Sequence, residues 1–101
     1  MSLSTNAQRI IREIEEYIVR CGGVYGNWYV GIASSPASRL FQDHNVNEQG
    51  AWIHIGANSS DEARSIEDYF HNVRHTQGAG GGGDNTTTFV YAYMITQSTR
   101  E

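Results

Sequence analysis

The chain has 101 residues, a hydrophobic fraction of 39%, a charged fraction of 18% and a net charge of −4 at neutral pH. That size supports a single domain, 1–101, with one core, and no apolar run approaches the roughly 20 residues that cross a bilayer. All seven basic residues are arginine, a balance that counts against a protein built to coat nucleic acid, because phosphate neutralisation by Lys and Arg supplies most non-specific affinity.

A few arginines gathered by the fold can still make a local positive cleft on an acidic molecule. No basic stretch followed by an apolar one opens the sequence, and a lone cysteine, Cys21, cannot close an internal disulfide. The expectation is a reducing, cytoplasmic setting with no membrane insertion.

Residues 5 to 21 place Ile10, Ile11, Ile14, Tyr17, Ile18 and Cys21 at spacings of three and four, the stripe of an amphipathic helix. Ser4 or Thr5 supplies its cap, charged residues from Arg9 to Arg20 its solvated face, and Gly22-Gly23 its stop. "VYGNWYVGIA" then alternates, with Trp28, Val30 and Ile32 on one face and Tyr29, Gly31 and Ala33 on the other. Ser35-Pro36 starts a short helix, "PASRLFQDH", expected to bury Ala37, Leu40 and Phe41 and to end near Asn45.

"AWIHIGA" is a second strand, from about Ala51 to Ala57. Ser59 followed three residues later by Glu62 is a capping-box pattern, and it opens a helix with the stripe Ala63, Ile66, Tyr69, Phe70 and Val73. "GAGGGGDN" at 78–85 lacks the Lys-Ser/Thr of a phosphate-binding loop and is read as a connection. "TTTFVYAYMI" is the strongest strand, with Phe89, Tyr91, Tyr93 and Ile95 on one face and Val90, Ala92 and Met94 on the other. Alternating helices and strands of these lengths predict an α+β fold, a small three-stranded, mainly antiparallel sheet flanked by about three helices.

Three residues on these elements could do chemistry together. Tyr29 stands beside Gly31, whose missing side chain allows close approach to the backbone. Arg39 lies in the first turns of the next helix, where anions are favoured. Glu67 sits at the margin of the buried stripe, where a carboxylate can hold a hard cation such as Mg²⁺ that keeps most of its water. A competing ridge, Glu67, His71 and His75 at spacings of four, could bind zinc if His44 or His54 completed the set.

"WYVGIASSPASRLFQDHN" followed by "EARSIEDYF" resembles the second half of the GIY-YIG nuclease domain, over residues 28 to 70. The family's YIG strand matches "YVG" at 29–31, its helix arginine matches Arg39, and its A-x-x-x-E helix matches Ala63 to Glu67. The resemblance implies an endonuclease-like domain that cleaves DNA phosphodiesters with one Mg²⁺ or Mn²⁺ ion. Tyr29 would be its second tyrosine, Arg39 its phosphate contact and Glu67 its metal ligand. The family's histidine follows the arginine by four, where this chain has Asp43, with His44 one residue later.

The first motif departs further, since "GGVYGN" puts Tyr25 only four residues ahead of Tyr29. Either Tyr25 serves from a shortened segment, or the C-terminal strand takes the missing strand's place, as in a permuted fold, and brings Tyr91 or Tyr93 to the site. The alternative reading is a catalytically degenerate binding or interaction module. A third is a homodimer paired through the exposed edge of "TFVYAYMI".

Overall fold

The computed structural model describes residues 3–78 and 84–100. Most of the glycine-rich run expected to be a connection, at 79–83, lies outside these described residues. Helix α1, Thr5–Arg20, begins where the Ser4 hydroxyl accepts the Ala7 N–H at 3.0 Å, and it buries Ala7, Ile10, Ile11, Ile14 and Ile18. It stops at Gly22 and Gly23, both at positive φ, with the Gly23 N–H returning to the Ile18 carbonyl at 2.9 Å.

Three strands follow, β1 Trp28–Ala33, β2 Trp52–Gly56 and β3 Phe89–Met94, in the antiparallel order β1-β3-β2. The C-terminal strand is therefore the middle one, and it has no free edge to offer a second copy. Its composition explains the place: aromatic residues on one face and Val90 and Ala92 on the other are both buried, as a central strand between two covered faces requires.

On one side of the sheet, Trp28, Val30, Ile32, Val90 and Ala92 pack against α1 and against Ala63, Ile66 and Phe70 of the third helical region. This is the main core. On the other side Tyr29, Ala33, Tyr91 and Tyr93 pack against Leu40 and Val46. That second layer comes from a π-helical segment, Ser38–Asp43, and the residues after it. No described helix is long and apolar enough to cross a membrane.

Helix α2, Ser60–Tyr69, is capped by the Ser59 hydroxyl, which accepts the Glu62 N–H at 3.1 Å. The Glu62 carboxylate accepts the Asn58 N–H at 2.8 Å and the Asn6 side-chain amide of α1 at 2.7 Å, so the cap also ties the two helices together. The Asn58 N–H first, then the Ser4 hydroxyl and the Asn6 amide, hold the Glu62 carboxyl below its usual range.

Two expectations about burial are corrected. Val73 is 56% exposed because α2 passes into a π turn, Phe70–Arg74, that spends more residues per turn and rotates Val73 off the face shared by Ile66 and Phe70. Ala37 is exposed as well, since the packing face of its segment is carried by Pro36 and Leu40, four residues apart. Phe41 is half-buried, with its ring edge-on to Trp52 at 5.1 Å.

This division of labour predicts how truncations divide. Ile14→Ala, in the core beneath the sheet, is expected to lower unfolding free energy by about 2–5 kcal/mol, whereas Val73→Ala should change it by no more than about 0.5 kcal/mol. Denaturant titration measures both, and a comparable loss for Val73→Ala would contradict the rotated face.

Candidate active site

The register of β1 and β3 sets Gly31 opposite Tyr91 and Tyr29 opposite Tyr93. A Cβ on Gly31 would lie 2.6 Å from the Tyr91 hydroxyl oxygen, so the glycine is what allows the phenol to lie across β1. The Tyr29 ring is nearly parallel to those of Tyr91 and Tyr93, at centroid distances of 6.2 and 5.2 Å. His44 completes the group, its ring 4.6 Å from that of Tyr29. Its Nε2 lies 2.8 Å from the Tyr91 hydroxyl and its Nδ1 lies 3.0 Å from the Tyr93 hydroxyl.

His44 reaches this place through the π-helical segment. The His44 N–H bonds the Arg39 carbonyl, five residues back, at 2.9 Å. A π turn takes one residue more than an α turn, so the fifth residue after Arg39 occupies the direction that the fourth would have in an α-helix. Asp43 is displaced outward and pairs with Arg39 at 3.2 Å, both side chains about half exposed. Asn45, at φ 55°, then ends the segment in the left-handed region that asparagine tolerates.

Tyr91 is the electrostatic centre of the group. Burial holds its phenol far above the usual range, and the neighbouring Tyr29 adds to the rise. The Arg39 guanidinium acts in the opposite sense and favours the phenolate, while the Glu67 carboxylate reinforces the neutral form. Groups from β1, the π segment and α2 thus all act on one hydroxyl.

Glu67 is only 3% exposed, and its Oε1 has no hydrogen-bond partner among the described residues. Burial pushes its carboxyl above the usual carboxylate range, opposed by His71 one turn further on. The His71 Nε2–H donates to the Val30 carbonyl at 2.9 Å. That bond needs Gly78, where any Cβ would collide with the imidazole. The same edge of β1 is closed by Gln77, whose carbonyl accepts the Val30 N–H and whose N–H donates to the Trp28 carbonyl.

The remaining expected residues fall elsewhere. Tyr25, in a 3₁₀ turn before β1, lies under the Arg74 guanidinium at 4.8 Å, and Arg74 bonds Glu15 of α1 at 2.8 Å. Tyr25 therefore belongs to the helical side and not to the tyrosine cluster. The zinc ridge does not form: the π turn breaks the spacing, His71 is engaged with Val30, and His75 sits at positive φ where the turn ends. His54 stacks on Trp52 and His44 is held among tyrosines. Among the described residues no group of three or more His, Cys, Asp or Glu side chains is arranged to hold a metal.

No family model, curated protein or solved structure matches this chain.

Two measurements test this geometry. Gly31→Ala should cost about 1–3 kcal/mol of stability through overpacking, and a neutral substitution would mean that Tyr91 does not rest on the glycine. For Glu67, whose carboxyl is raised on folding, the sign is that stability is full below the unfolded carboxyl's range and falls as pH rises through the folded value. Glu67→Gln, neutral at every pH, should thus exceed the native metal-free protein in stability near pH 7 and lose that advantage below about pH 4. A pH series of thermal melts that shows no such crossover would contradict the buried, unpaired carboxylate.

Proposed function

We propose that the chain is a divalent-metal-dependent hydrolase of DNA phosphodiester bonds, with a GIY-YIG-like site assembled in permuted order. In this reading β3 stands in for the family's first strand and Tyr91 for its first tyrosine. The observation that carries it is the convergence on the Tyr91 hydroxyl of His44 at 2.8 Å and of the opposed charges of Arg39 and Glu67.

Each residue then has a part that its surroundings support. Tyr91 takes the proton of the attacking water once its own has passed to His44, and the two are already at hydrogen-bond distance. Arg39, half exposed, paired with Asp43 across one turn and interacting with the Tyr91 phenol, turns its guanidinium to the non-bridging oxygens. Tyr29 packs both tyrosines and His44 into one orientation.

A Mg²⁺ or Mn²⁺ ion fits the donor chemistry of Glu67. A buried carboxylate oxygen without a partner is costly unless a proton or a cation meets it. Glu67 would be the protein ligand of that ion, with water in the rest of its shell. When bound, the ion supplies Lewis-acid stabilisation of the charge that develops on phosphate oxygens.

A second reading is favoured by one observation. Tyr91 is 1% exposed and Tyr93 wholly buried, so the cluster also resembles a sealed second core. The chain would then be a catalytically degenerate interaction module, in keeping with its acidic balance.

Cleavage assays on single-stranded, duplex and branched DNA with Mg²⁺ or Mn²⁺ separate the two. The nuclease reading predicts cutting by the native chain and a loss of about a hundredfold or more in Glu67→Ala and Tyr91→Phe. Absence of cutting on every substrate supports the module, and undiminished cutting by Glu67→Ala removes the proposed mechanism.

A further inference from the structure

Beyond β3 the chain doubles back over His44. The sequence Thr96-Gln97-Ser98-Thr99 closes a turn on its own hydroxyls: the Thr96 N–H donates to the Thr99 Oγ1 at 3.0 Å, and that hydroxyl donates to the Thr96 carbonyl at 3.0 Å. Asn45 fastens the turn from the other side by donating its side-chain amide to the Ser98 carbonyl at 2.9 Å. Arg100 then meets His44 twice. Its N–H donates to the His44 carbonyl at 2.7 Å, and its carbonyl lies 2.6 Å from His44 Nδ1. Its side chain is exposed, so the contact is made by main chain.

A peptide carbonyl can only accept, so an Nδ1 at that distance must carry the proton. The Tyr93 hydroxyl confirms the arrangement by donating to the same carbonyl at 3.2 Å. With Nδ1 committed as a donor, the neutral imidazole has its lone pair on Nε2, the atom facing the Tyr91 hydroxyl.

We propose that residues 96–100 form a strap whose Arg100 peptide groups set the tautomer of His44, making Arg100 a positioning residue that lends the Nε2 lone pair to Tyr91. The tautomer follows from geometry, and its catalytic consequence rests on the hydrolase reading. The proton step balances within the site. The Tyr91 O–H bond breaks and an Nε2–H bond forms, leaving a phenolate beside Arg39 and an imidazolium whose Nδ1–H points at the Arg100 carbonyl. Without that carbonyl the Tyr93 hydroxyl, already 3.0 Å from Nδ1, donates to it instead. The ring then takes the Nε2–H form, which donates to Tyr91 and cannot receive its proton. The strap thus decides which of two tyrosines His44 serves.

The test is the ring ¹⁵N–¹H long-range correlation spectrum of His44, recorded without metal or DNA at a pH where the ring is neutral. The native chain should give a protonated Nδ1 and a lone-pair Nε2, and the reverse pattern overturns the proposal. Deleting residues 100 and 101 should move His44 to the Nε2–H form. Adding Tyr93→Phe to that deletion should abolish the preference by removing the competing donor. Arg100→Pro, which keeps the carbonyl and removes the anchoring N–H, should shift the tautomer part-way in the same direction, and it serves if the deletion unfolds the chain.

An unchanged Nδ1–H form in the folded deletion, or in Arg100→Pro when the deletion does not fold, overturns the strap's role. DNA cleavage by the deletion should fall at least tenfold, and undiminished cleavage accompanying a reversed tautomer overturns the catalytic consequence. A native chain that cuts no substrate removes the hydrolase reading and with it the catalytic consequence, while the spectra still decide the tautomer.

Discussion

The second layer of this protein depends on one close approach, the phenol of Tyr91 resting where Gly31 has no side chain. Strand pairing fixes that meeting, because a shift of one residue between β1 and β3 would send every side chain of one strand to the opposite face. Once Tyr91 lies across β1, its hydroxyl falls within reach of His44 and inside the fields of Arg39 and Glu67. Tyr29 and Tyr93 then fill the space around the imidazole.

The sheet separates two kinds of packing. Beneath it, isoleucines of α1, the apolar stripe of α2 and the small residues of β3 make the main apolar core. Above it the buried groups are phenols and an imidazole, and the hydroxyls of Tyr91 and Tyr93 are paired with the His44 ring, which with Tyr93 also meets the Arg100 carbonyl. A polar layer of that kind is stable only when its members are satisfied. The Glu67 Oε1 and the Thr76 Oγ1 are buried side-chain atoms left without a partner among the described residues. Of these the carboxylate has the larger unmet demand, since it can carry a full charge.

Much of this was legible in the sequence, and the parts that were not have physical reasons. Period-two alternation in "WYVGIA" and "FVYAYM" set Tyr29, Tyr91 and Tyr93 on matching faces, whereas the spacing of Glu67 from Ala63 and Phe70 put the carboxylate at the margin of a stripe that in fact buries it, at 3% exposure. The central place of β3 could be inferred only by noticing that both its faces are apolar, which pairing order alone does not reveal. Two π turns were invisible, because they arise from tertiary packing and carry no residue signature comparable to a cap. They account for the exposure of Val73, the broken histidine ridge and the entry of His44 in place of Asp43. The Arg100 contact was also hidden, since it is made by backbone groups that any residue but proline would bring.

Whether this layer is a catalytic site or a sealed scaffold turns on what meets the buried Glu67 oxygen. Anomalous scattering from crystals soaked in Mn²⁺ answers this directly. The account predicts one peak about 2.0–2.2 Å from Glu67 Oε1, with water in the remaining positions. A well-ordered site with no peak at Glu67, its carboxyl protonated and hydrogen-bonded within the protein, would contradict it.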